Sequence, residues 1–110
     1  MPNIKIFVDE AEYGAVKGGL ADLLPELRTA LCTSLRVDET AFQVAVIPVL
    51  GIAGQPPVNV EVHLLPRPER TRELVSGLAQ DLRAYVGKAT AQHVAVRITM
   101  IEPEKYVTLK

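Results

Sequence analysis

The chain has no tryptophan, three tyrosines, two phenylalanines and one cysteine among its 110 residues. A single cysteine excludes an intrachain disulfide, and Cys32, inside an apolar periodic stretch, is expected as a small core or interface residue and not as a nucleophile. So few aromatics leave no stacking signature of the kind that single-stranded nucleic-acid binders use. A formal net charge of −1 supplies no electrostatic footprint for nucleic acid or an anionic membrane, so neither is expected as a partner. No apolar run approaches the roughly 20 residues of a membrane span. The N-terminus also lacks the basic region and apolar stretch of a signal peptide, which makes a cytoplasmic protein the expectation. His63 and His93 are far apart with no adjoining cysteine or carboxylate cluster, so no metal site is expected.

Aliphatic residues dominate what is present, and they recur in a pattern written twice. Pro2-Asn3-Ile4-Lys5-Ile6-Phe7-Val8 lies on Pro56-Pro57-Val58-Asn59-Val60-Glu61-Val62 with apolar residues at the same alternating positions, so each half opens as a strand. A helical stripe follows each: Leu20, Leu24, Leu27, Leu31 in the first half and Leu74, Leu78, Leu82, Val86 in the second. Another alternating run closes each half, Phe42 to Ile47 and Val94 to Thr99. The order is β-α-β, twice, with pseudo-repeats over 1–55 and 56–110. A chain of this length buries one core and not two, so residues 1–110 are expected as one domain.

Right-handed crossovers in both units place four strands in one sheet and both helices on one face, an α+β architecture. The opposite sheet face is left uncovered, with Phe7, Ala45, Leu64 and Ala95 mixed among Lys5, Gln43, Glu61, Arg97 and Thr99. A partly apolar uncovered face marks an association surface, so oligomerisation is expected. Asp9 to Gly19, with Gly14, Gly18 and Gly19, is expected as a loop with the first helix starting near Asp22, so that Pro25 falls in the first turn or at a kink. Gly51 to Pro57 carries no phosphate-binding signature and is expected as a hairpin linker. Arg67, Arg70 and Arg72, interleaved with Pro66, Pro68 and Glu69, are expected as solvated surface.

The candidate chemistry begins with Met1-Pro2. Removal of the initiator methionine leaves a proline with a free secondary amine at the head of a strand. An ordinary α-amine has a pKa of roughly 7.7–8, and a proline amine is intrinsically more basic. An apolar pocket or nearby cations penalise the protonated form and free the amine to act as a general base at neutral pH. A retained Met1 acylates that nitrogen and removes the base.

A Met-Pro start opening a strand, in a chain of this length with two β-α-β units, resembles the tautomerase superfamily. Leu24-Pro25-Glu26-Leu27 and Val44-Ala45-Val46-Ile47-Pro48 are similar to segments of its first helix and second strand. The resemblance implies that Pro2 is the catalytic base or acid, in a pocket at a subunit boundary of a homotrimer. It implies that Arg36, between the first helix and the next strand, takes the place of a pocket-facing lysine. Arg97 then falls where the family presents a polar side chain from the neighbouring subunit. Tyr106 is a further candidate, reaching a neighbour's pocket or packing on the trimer rim. The partner implied is a small-molecule keto-acid, with no cofactor. Glu10-Ala11-Glu12 and Gln43 stand where the short bacterial members have arginines, so a dicarboxylate substrate is not implied. Two non-catalytic alternatives stay open: a trimeric binding or structural module on the same fold, and a ferredoxin-like binding domain.

Overall fold

The computed structural model describes residues 2–110, and Met1, whose removal is at issue, lies outside the described residues. The elements are β1 (Asn3–Asp9), α1 (Glu10–Leu35), β2 (Gln43–Val49), β3 (Val58–Leu64), α2 (Arg72–Thr90) and β4 (Val94–Met100), with 3-10 turns at Glu39–Ala41 and Pro103–Lys105. β1 pairs with β2 in parallel and β3 with β4 in parallel, while β1 and β3 meet antiparallel. The sheet order is β2-β1-β3-β4, so the first strand of each unit lies at the centre. Two β-α-β units thus share one four-stranded sheet, as the alternation predicts.

Strand alternation puts Ile4, Ile6 and Val8 of β1 and Val58, Val60, Val62 and Leu64 of β3 on one face, all buried. Against them pack Val16, Leu20, Leu23, Leu27, Leu31 and Leu35 of α1, with Leu78, Leu82 and Val86 of α2. Their spacing by threes and fours is that of one helix face. The two helices cross closely at Gly19, where a Cβ would stand 2.6 Å from the Ala89 carbonyl oxygen.

Three local expectations are corrected. First, α1 begins at Glu10, not near Asp22. The Asp9 side chain caps the helix by accepting from the Ala11 N–H, and Glu10 and Glu12 in the first turn complement the helix dipole. Val16 and Leu20 then extend the buried stripe through the glycines, and Pro25 sits inside the helix on its exposed face. Second, residues 50–57 do not close a hairpin, because β2 and β3 are not neighbours; the segment passes over the end of β1, where the Asp9 N–H donates to the Pro57 carbonyl at 2.8 Å. Gly51 permits that passage, since a Cβ there would lie 2.6 Å from Asp9 Oδ2. Third, Leu64 faces the helices and is fully buried. The open face instead carries rows set by register: Gln43, Asn3, His63 and Thr99; then Ala45, Lys5, Glu61 and Arg97; then Ile47, Phe7, Asn59 and Ala95.

Candidate active site at the head of the central strand

Pro2 immediately precedes β1 and is in phase with its helix-facing residues, and it is buried. Its carbonyl accepts from the Gln43 N–H at 3.1 Å, which carries the β1–β2 ladder to the very start of the strand. Because β1 is central, Pro2 is flanked by the start of β2 and the end of β3, where Asn3 pairs with Gln43 and with His63. The C-terminus of α1 and the connection from β3 to α2 close over the same end of the sheet.

That end is rich in arginine. Arg36 is the C-cap of α1 in the left-handed conformation (φ 54, ψ 52), its N–H turned back toward the Cys32 and Thr33 carbonyls, and its side chain is exposed. Left-handed caps are usually glycine, yet both helices here end on another residue, Arg36 and Ala91, each at φ 54. Arg67 Nη1 donates to the Arg36 carbonyl at 3.2 Å. Arg70 is only 5% exposed: Nη1 donates to the Leu65 carbonyl at 2.6 Å and Nη2 to the Leu35 carbonyl at 3.3 Å. Its Nε is buried without a partner, and burial, followed by the charge of Arg67, lowers its pKa. The expectation that this arginine run is solvated surface therefore fails at Arg70. An arginine in a Pro-rich polar loop carries no sequence signal of burial; one of its carbonyl partners is in its own connection and the other at a distant helix end.

Arg97 and Arg36 are not brought together within one protomer. Arg97 is exposed on the open face of β4, level with Glu61 and Lys5, and Nη1 donates to Asn59 Oδ1 at 3.2 Å. It is separated from β1 by one strand and points to the face opposite Pro2. Tyr106 follows the 3-10 turn after β4, in a tail whose Val107 and Leu109 are 84% and 93% exposed. β4 ends beside Leu64, so this tail leaves from the Pro2 end.

Other features are chemically less apt. Cys32 is buried and its thiol pKa is raised, first by burial and then by Glu39, which disfavours the thiolate a nucleophile needs. A groove of about 590 Å³ between the helices is edged by Asp22, Glu26 and Asp81 with Lys88, a lining of net negative charge that disfavours an anionic substrate. A second, of about 420 Å³, runs from Arg70 and Arg72 along α2 to Ile98 and Met100 of β4. Among the described residues, no group of three or more His, Cys, Asp or Glu side chains is arranged to hold a metal ion, and no helix is long and apolar enough to cross a membrane.

No family model matches the chain, and no curated protein does. Solved structures match over almost its whole length. A protein of unknown function from Vibrio cholerae superposes with a TM-score of 0.75 at 21% identity, over 97% of this chain and 83% of that one. A macrophage migration inhibitory factor-like protein from Entamoeba histolytica gives a TM-score of 0.70 at 10% identity, over 97% and 94% of the two chains. A fused 4-OT, described as a wild-type symmetric trimer, gives 0.62 at 18% identity, over 89% and 84%. The chain has the fold of the tautomerase superfamily.

Proposed function

We propose that this chain is a cofactor-independent tautomerase that moves a proton on a small keto-acid, with Pro2 as the general base once Met1 is removed. The observation that carries the proposal is the burial of Pro2 at the head of the central strand, at the arginine-rich end of the sheet. Both burial and neighbouring cations penalise a prolinium ion, so a free Pro2 nitrogen there is driven toward the neutral, basic form. The neutral amine takes a proton from the carbon alpha to the substrate carbonyl, and the electron pair moves onto the carbonyl oxygen. A guanidinium stabilises that oxyanion, and the prolinium returns the proton at another atom. Arg36 is the cation this protomer offers. In a homotrimer, which the fused 4-OT neighbour supports, Arg97 and Tyr106 come from the adjacent subunit.

The test is enolisation of phenylpyruvate by the parent protein and by Pro2→Ala. The parent is expected to catalyse it, and the variant, whose N-terminal amine is primary and differently placed, to lose roughly 10²-fold or more, the scale of a positioned general base. Equal rates in the two proteins would exclude Pro2 as the base.

A further inference from the structure

The last turn of α1 contains no basic residue, yet two of its terminal carbonyls, those of Leu35 and Arg36, accept bonds from guanidinium groups. Both guanidiniums belong to the connection between β3 and α2. A helix C-terminus has orphan carbonyls and a partial negative charge, which cations satisfy whether they come from the helix or from elsewhere. Water could satisfy exposed carbonyls at no cost to the fold. Arg70 is different, because it is buried and, among the described residues, no carboxylate lies within ion-pair distance of it.

Burial of an uncompensated guanidinium is costly, and an apolar side chain of similar volume would fill the same space with less penalty. What the guanidinium supplies instead is direction: a planar fork that reaches two carbonyls at once, Leu65 on its own loop and Leu35 at the end of α1. The residue after Leu35 is Arg36, whose left-handed backbone has no glycine to relax it and whose carbonyl is held by Arg67. We infer that Arg70 is a positioning residue, which, with Arg67, clamps the end of α1 to the β3–α2 connection and thereby aims Arg36 at the substrate. The inference rests on the assignment of Arg36 to the substrate under the proposed function.

The test compares Arg70→Met and Arg70→Lys with the parent in two measurements, amide hydrogen exchange and phenylpyruvate kinetics. Arg70→Met is expected to speed exchange at Arg36 and Val37 by about tenfold or more while Ile6 and Val60 keep parental protection. It is also expected to lower kcat by about tenfold or more, because a misaimed Arg36 no longer meets the oxyanion it stabilises, while Pro2 itself is left untouched. Arg70→Lys, which reaches one carbonyl but not both, should fall between; if the Met variant does not fold, the Lys variant makes the same comparison. Unchanged exchange at Arg36 overturns the clamp, and so does faster exchange at Arg36 with kcat and KM both at parental values, which would leave Arg70 a structural residue that does not aim Arg36. A parent protein with no enolisation would sink the proposed function alone, since the exchange measurement still decides the clamp.

Discussion

Arg97 is the residue on which the shared-site account is most exposed to test. Within its own chain it lies on the opposite sheet face from Pro2 and is occupied with Asn59, so any part in the chemistry is played at a neighbour's proline. Arg97→Ala is then expected to lower phenylpyruvate turnover by roughly 10²–10³, the usual loss for one oxyanion donor, while the variant, like the parent, still sediments at the mass of three chains. Lysine should restore part of the loss, since it keeps the charge without the planar fork. An unchanged rate would remove Arg97 from the site, and dissociation of the assembly would make it an interface residue instead. Residues of this kind differ in how far they can be read from sequence. Pro2 can be proposed from sequence because the chemistry of a free proline amine follows from its place in the chain, whereas Arg36 is proposed only through the resemblance, which sets it beside a pocket-facing lysine. Arg70 is not legible, because burial of a loop arginine is decided in part by a carbonyl of a helix 35 positions away.

At the scale of elements, α1 shows what local signals can and cannot settle. Its apolar spacing is plain from Leu20 onward, but Gly14, Gly18 and Gly19 suggest a loop by propensity. Tertiary packing of Val16 and Leu20, with the Asp9 cap, overrides that preference. Of the two places the sequence allows Pro25, the first turn or a kink, the first does not hold: it lies mid-helix on a solvated face, where water can serve the carbonyl it leaves unbonded. Thr29 Oγ1 donates to the Pro25 carbonyl at 3.2 Å, which replaces nothing that the proline removes. Pro25→Ala is therefore expected to stabilise the protein by about 1–3 kcal/mol, somewhat reduced by the greater freedom of the unfolded chain. Urea unfolding checks this through a higher midpoint at constant slope. A lower midpoint would mean that α1 needs a bend at Pro25 to cover the sheet. The strands are legible in existence and in their order along the chain, because period-two alternation marks them, but not in their order across the sheet. The path of residues 50–57 is not legible either, because a linker's composition does not say which strands are neighbours.

At the scale of the whole molecule, one sheet face is packed by helices and the other stands open with Ile47, Phe7 and Ala45 among Lys5, Glu61, His63 and Arg97. Leu50 and Ile52 in the crossover loop and Val107 and Leu109 in the tail add exposed apolar surface at both ends. Such surfaces are what association covers, and under the proposed function a three-fold assembly over the open face carries Arg97 to a second chain's Pro2. The open face was legible in the sequence from alternation alone, apart from Leu64, whose even position places it with the core. All of the proposed chemistry, however, passes through one nitrogen. If Pro2 is the base, protein purified from its native source must begin at Pro2, because a retained methionine turns the amine into an amide with no usable basicity. Intact-mass measurement decides this directly: the account predicts a mass short of the full sequence by one methionine, and a mass that includes Met1 throughout the sample would contradict it.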